Sequence, residues 1–275
     1  MTLVTAIINF KGGVAKTTTT INLAAGLTKL KERVLVIDTD PQGNVGINLQ
    51  GSEDAVLDVQ AITISSLYQD ARIDPRRAIK RTPYFDYIPN NLYAYQRTNG
   101  LSDYRLLKQI IDKLKPYYDQ IIIDTPPYLG LDAINAVYAS DNLLLVTDFS
   151  KASMTGVQIL VSVLDRWHDK EISKVFREKP KSILFTMFQK NTNLHKELID
   201  NVEDSKELGM GIMLKERVPR QLKVVEDGYL GVPTIIASPR TKVALEYKSL
   251  SETWQKARTT GKLNGSRYSI NVFRK

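Results

Sequence analysis

Apolar and polar residues fall in blocks along this chain, and the period of the blocks changes. Leu3-Val4-Thr5-Ala6-Ile7-Ile8-Asn9 is an apolar run of strand length. A glycine-containing stretch, Phe10-Lys11-Gly12-Gly13-Val14-Ala15-Lys16-Thr17, interrupts it. Ile21-Asn22-Leu23-Ala24-Ala25-Gly26-Leu27 then resumes with helical spacing. Further β-branched or leucine-rich runs predict strands over 33–38, 118–124, 142–147 and 182–188, and 85–91 reads as a short strand and exit loop. Between them, apolar residues at three- and four-residue spacing predict helices over 101–115 and 154–167, one beginning near Leu194, and a last one over 239–258. In 101–115 the inward stripe is Leu106, Leu107, Ile110, Ile111 and Leu114. In 239–258 the apolar positions are Val243, Leu245, Leu250 and Trp254. Strand–helix alternation of this kind predicts an α/β fold, with one mostly parallel twisted sheet flanked by helices on both faces. We expect one domain over 1–260 and a basic tail, or an extra strand, over 261–275. In that tail Tyr268, Ile270 and Val272 alternate with period two, and Gly265-Ser266 lies inside it, a poor pattern for a lipid-binding helix.

Composition narrows the picture by exclusion. Of the 275 residues, 43% are hydrophobic and 25% charged, an ordinary globular balance. There is no cysteine, which rules out disulfides and thiolate-held metals or clusters. No apolar run has the length of a membrane span, and the first residues do not read as a secretory signal, so we expect a cytoplasmic protein. Charge changes the picture more. The formal net charge is +8, and residues 215–275 alone carry 13 Lys and Arg against 5 Asp and Glu. The rest of the chain balances to zero, so the positive excess is confined to the last fifth, the footprint of a polyanion-binding face.

The chemistry begins at the glycine stretch. Strand, glycine turn and helix in that order are the setting of a phosphate-binding loop. Successive backbone N–H groups converge on an anion there, and the helix N-terminus adds partial positive charge. Gly12 and Gly13 let the backbone close around phosphate oxygens. Lys16 offers a cation to the β- and γ-phosphates, and the Thr17 hydroxyl is placed to ligate Mg²⁺. Two strands end on carboxylates, Asp38 and Asp124. Asp40 follows in the turn Thr39-Asp40-Pro41-Gln42-Gly43-Asn44. Ligands of open parallel sheets bind at the carboxyl ends of the strands, which brings Asp38 and Asp40 beside the loop. Asp124 is placed to hold Mg²⁺ through water. His168 follows the end of the 154–167 helix, where a histidine favours the C-terminus, and reads as structural, and no catalytic or metal role is expected of His195.

The loop is x-K-G-G-x-x-K-[ST] rather than G-x-x-x-x-G-K-[ST]. It resembles the deviant Walker A motif of the ParA/MinD family of ATPases, and its closest resemblance is to the small ParA/Soj-type partition proteins. Asp38-Thr39-Asp40-Pro41-Gln42-Gly43-Asn44, Ile123-Asp124-Thr125-Pro126-Pro127, Val218-Pro219-Arg220 and Gly231-Val232-Pro233 match further family segments. Many family members have glycine where this chain has Ala15. The resemblance, over about residues 3–255, implies a P-loop NTPase that uses ATP and Mg²⁺. By it, the nucleotide lies against residues 11–18 (Lys11, Gly12, Gly13, Val14, Ala15, Lys16, Thr17, Thr18), with Met187, Asn191 and Pro219 toward the adenine. Lys11 would reach the ATP of a second subunit in a sandwich homodimer. Asp40 would position the attacking water, and Thr17, Asp40 and Asp124 would surround the metal. Arg217, Arg220, Lys223, Lys242, Lys248 and Lys256 would form a face for nonspecific DNA on the nucleoid. A ParB-type or cargo adaptor would stimulate a slow intrinsic hydrolysis. The alternatives are a relative that distributes a protein cargo such as carboxysomes over the nucleoid and a MinD-like membrane oscillator.

Overall fold

The strand runs of the sequence lie side by side in space. In chain order the elements are β1 (Leu3–Ile8), α1 (Lys16–Lys29), β2 (Val34–Asp38), α2 (Asn44–Gln50), α3 (Asp54–Leu57), α4 (Ile64–Gln69), β3 (Lys80–Arg81), β4 (Asp86–Ile88), α5 (Leu92–Tyr95) and α6 (Leu106–Leu114). They continue as β5 (Gln120–Asp124), α7 (Leu131–Ala139), β6 (Asn142–Asp148), α8 (Lys151–Asp165), α9 (Lys170–Glu178), β7 (Lys181–Phe188), β8 (Ile212–Pro219), α10 (Lys223–Tyr229), α11 (Thr234–Ala237) and α12 (Lys242–Thr260). This computed structural model describes residues 1–52, 54–96, 102–189 and 212–261. The helix expected near Leu194, His195, Asn191 and all of the tail but Gly261 lie outside the described residues.

The eight strands form one sheet in the order β3-β4-β2-β5-β1-β6-β7-β8. All neighbouring pairs are parallel except β3 with β4. Side chains alternate between the two faces. On β5, Ile121 and Ile123 join a core under α4, α6, α7, α8 and α9, whereas Ile122 joins a second core under α1 and α12. Both faces are therefore covered, which is why the central strands read as continuous apolar runs. Parallel register brings Ile7, Asp38 and Asp124 to the same level: Ile7 pairs with Asp124, and Asp124 with Asp38.

Several boundaries move from their sequence positions for identifiable reasons. The helix expected over 101–115 runs Leu106–Leu114, and Pro116 sits in a 3₁₀ turn that ends it. The helix expected over 154–167 runs Lys151–Asp165 because the Ser150 hydroxyl caps it, accepting the Ser153 N–H at 3.1 Å. The last helix starts at Lys242, capped by Thr241. Its Leu245 is not a core residue: it is 52% exposed. Leu245 lies about 200° around the helix from Val243, so the inward stripe is Val243, Tyr247, Leu250 and Trp254. Helix α9 is not foreseen by the sequence reading. Only Ile172 and Phe176, four residues apart, anchor it, and Asp169 caps it.

Candidate active site and basic edge

The phosphate loop spans the gap between β1 and α1 and is pinned at its start. Asn9 is fully buried; its amide donates to the Val146 carbonyl at 2.7 Å, and its Oδ1 accepts the Lys11 N–H at 2.9 Å. Gly13 has φ +75°, a conformation that side chains resist. A Cβ on Gly12 would meet only Pro127, at 3.9 Å, so the bare backbone there leaves room for a ligand oxygen. Ala15 stands at the N-terminus of α1 with φ 64° and ψ 34°, the left-handed region that glycine would occupy freely.

Lys16 is buried, and its Nζ donates back to the Lys11 carbonyl at 3.2 Å. Burial lowers its pKa, and the charges of Asp124 and Asp40 oppose that shift. Asp124, wholly buried, is gripped on both oxygens: Thr17 donates to Oδ2 at 2.7 Å and Thr20 to Oδ1 at 2.7 Å. Asp38 organises the following turn by accepting the Asp40 N–H and the Val45 N–H, each at 3.0 Å. Asp40 in turn accepts the Gln42 N–H at 3.0 Å.

Three carboxylates thus share a buried site with one lysine. Burial pushes Asp38 well above the ordinary carboxylate range, and the charges of Asp124 and Asp40 add to it. Burial likewise pushes Asp124 up to about 6, against the donors Thr17 and Thr20. Burial also raises Asp40. An excess of buried negative charge is relieved by a divalent cation. Among the described residues no three His, Cys, Asp or Glu side chains converge as a ready-made cage. Mg²⁺ needs none, since it takes one or two carboxylates and completes its shell with phosphate oxygens and water. The donor set therefore fits Mg²⁺ held with a nucleotide.

Lys11 does not extend into solvent. Its Nζ folds back onto its own chain, donating to Asp148 Oδ2 at 3.2 Å, Ser150 Oγ at 3.1 Å and Ser153 Oγ at 2.6 Å. Burial disfavours the Asp148 charge, but Ser150, Ser153 and Lys11 outweigh it and hold the carboxyl at about 2. Sequence reasoning misses this cradle, although the signal is the one that marks Asp38 and Asp124: Asp148 also ends an apolar strand. Thr20 is missed as well. Its spacing of three from Thr17 puts both hydroxyls on one face of α1. Asp132, an acid inside the apolar helix α7, is a third omission. It is 4% exposed, and burial followed by the charge of Asp40 raises its carboxyl to about 7.

The other candidates lie at the far edge of the sheet. Met187, with φ 56°, kinks the end of β7, and Pro219 pairs with Phe188 at the end of β8. A cleft of about 400 Å³ opens there between Phe188, Pro219, Arg220 and Lys242. Of the six cations proposed for DNA, Arg220, Lys242, Lys248 and Lys256 are exposed. Arg217 is turned inward: its guanidinium lies over the Phe185 ring at 5.3 Å and donates to the carbonyls of Leu214 and Glu216. Lys223 is paired with Glu226 at 3.0 Å and Asp227 at 3.3 Å.

Comparison with known proteins gives a consistent family. A family model described as an AAA domain matches residues 2–177. The sporulation initiation inhibitor protein Soj of Bacillus subtilis is 33% identical over 251 residues, covering 90% of this chain and 96% of its own. The chromosome partitioning protein ParA of Myxococcus xanthus is 30% identical over 266 residues, covering 92% and 88%. Among solved structures, cobyrinic acid a,c-diamide synthase of Mycobacterium smegmatis, with a bound ATP analogue and magnesium, superposes with a TM-score of 0.80. It is 23% identical over 98% of this chain and 100% of that one, a likeness of fold alone.

Proposed function

This chain belongs to the ParA/MinD family of ATPases, and we propose that it is a ParA-type positioning ATPase whose ATP-bound form is a DNA-binding homodimer. The observation that carries the reading is the pair of lysines on one loop. Lys16 is buried among the carboxylates, and Lys11 is half-exposed in a cradle that it can leave. In the proposed dimer Lys11 exchanges Asp148, Ser150 and Ser153 for the γ-phosphate in the second subunit. Nucleotide occupancy then controls dimerisation.

The chain's residues divide the work. Backbone N–H groups of residues 12–17 and the N-terminus of α1 bind the phosphates. Lys16 balances their charge. Thr17 and Asp124 hold Mg²⁺, which neutralises charge on the phosphates during transfer. Asp38 fixes the turn that carries Asp40, so Asp40 can orient the attacking water. The cations of the loop itself are Lys11 and Lys16, with no arginine, which supports a slow intrinsic rate that an adaptor of ParB or cargo type raises. Arg220, Lys242, Lys248 and Lys256 supply the DNA face, so binding should fall steeply with salt and depend little on sequence.

The test is ATP hydrolysis measured alone, with duplex DNA and with anionic vesicles. The reading expects slow turnover, a DNA response and no lipid response. ATP-dependent pelleting with vesicles and no DNA binding would replace it with a MinD-like membrane role. Asp40→Ala should dimerise with ATP yet hydrolyse it poorly, and unchanged turnover would remove Asp40 from its role.

A further inference from the structure

The end of β7 touches both the nucleotide loop, through Thr186, and the basic edge, through Phe188. Thr186 is fully buried, and its hydroxyl donates to the carbonyl of Val14 in the phosphate loop at 3.0 Å and to that of Thr147 at 3.2 Å. Met187 follows in the left-handed region, so the strand kinks immediately after that anchor. The Phe188 carbonyl accepts the Arg220 N–H at 3.1 Å. The pairing of β7 with β8 is irregular here, with register shifts on both sides of Phe185.

A second contact route runs beside the first. Phe149 lies between Asp148 and Ser150, two of the three groups that hold Lys11. Its ring is buried against Phe185 at 4.6 Å and Phe188 at 5.2 Å. Phe185 is the ring on which Arg217 lies. From Lys11 to Arg217 the chain of contacts is therefore Asp148–Ser150, Phe149, Phe185 and Arg217. In this arrangement, with Lys11 in its cradle, the Arg217 guanidinium is spent on the Phe185 ring and on two carbonyls of its own strand.

We propose that Phe149 and the Thr186–Phe188 turn couple Lys11 and the phosphate loop to the β8 edge, so that departure of Lys11 from its cradle releases Arg217 to bind a polyanion. The proposal rests on the ATP and DNA reading above and adds the residues that join its two sites. Allostery of this kind is a free-energy coupling between sites, commonly a factor of about 5–150 in affinity. A contiguous packed route makes such coupling physically possible, and only a measured coupling establishes it.

The experiment is fluorescence anisotropy of a labelled random-sequence duplex at fixed salt, with and without a non-hydrolysable ATP analogue. Wild type should bind at least about tenfold more tightly with the analogue. Phe149→Leu keeps bulk but loses the ring stack, and Thr186→Val keeps shape but loses the hydroxyl. In both, the ratio should fall below about threefold while analogue-induced dimerisation, followed by light scattering, persists. Arg217→Gln, which leaves the Phe149–Phe185 stack itself intact, should collapse the ratio from the other side by lowering the analogue-bound affinity. Wild-type ratios in folded Phe149→Leu and Thr186→Val, or in Arg217→Gln alone should the core variants not fold, would overturn the link and leave the functional reading standing. A wild-type ratio near one would overturn both.

Discussion

The centre of the sheet and its β8 edge are built on opposite terms. At the centre, Lys16, Asp38, Asp40 and Asp124 are buried, and each has a hydrogen-bond partner in the phosphate loop, the turn after β2 or the first turn of α1. At the edge, the cations are spread over β8, the loop after it and two helices, and some are occupied within the chain, Arg217 by Phe185 and Lys223 by Glu226. A buried polar site tolerates few arrangements, because every unpaired group there is costly. An exposed charge tolerates many, because water substitutes for any partner. The centre should therefore respond to substitution in an all-or-none way, and the edge in graded steps.

The largest expected effect is at the centre. Lys16→Ala should weaken ATP binding at least about 100-fold, roughly 3 kcal/mol, by isothermal titration. Intact affinity would remove the loop from its role. Next is Asp132, whose carboxyl rises from an ordinary 3.8 to about 7 in the folded chain. The folded state then holds that proton more tightly than the unfolded one. Its stability contribution is full below about pH 4 and is lost as pH rises to about 7. Asp132→Asn escapes the loss, so its advantage over wild type in denaturant melts should be small at pH 4 and reach roughly 2–4 kcal/mol at pH 8. An advantage that does not change with pH would show that the carboxyl titrates alike in the folded and unfolded chain.

The edge should respond less. Arg220→Glu should lower DNA affinity about tenfold for all sequences and flatten the salt dependence by about one to two counterions, with dimerisation intact. A gel shift equal to wild type would place the DNA face elsewhere. The smallest effect returns to the loop. Ala15 pays for its left-handed conformation with about 1–2 kcal/mol of strain, and glycine would remove that at the cost of extra freedom in the unfolded chain. Ala15→Gly should therefore gain about 0.5–1 kcal/mol, or roughly 2 °C in Tm. A lower Tm would mean that the loop has relaxed around the alanine.

The same contrast decides how much the sequence reveals. The strands around the site are legible because burial on both faces makes them uninterrupted apolar runs, as in Ile121-Ile122-Ile123 before Asp124. The phosphate loop is legible because its geometry demands glycines and a lysine at set spacings. The direction of a flexible side chain is not encoded that way. Lys11 identifies the loop's type, yet its resting place depends on Asp148, Ser150 and Ser153, which lie more than a hundred residues away. Arg217 counts toward the basic excess in the sequence, but in the fold its charge is turned onto Phe185. Leu245 counts among the apolar positions of the last helix in the sequence and is exposed because the helix phase is set by Val243 and Tyr247.

The central claim is that Lys11 makes the nucleotide a bond between two subunits. Light scattering of wild type and Lys11→Ala with a non-hydrolysable ATP analogue and Mg²⁺ tests it most directly, with analogue binding measured in parallel. Wild type should double its mass, and Lys11→Ala should bind the analogue but remain a monomer. A Lys11→Ala dimer as stable as wild type would contradict the account.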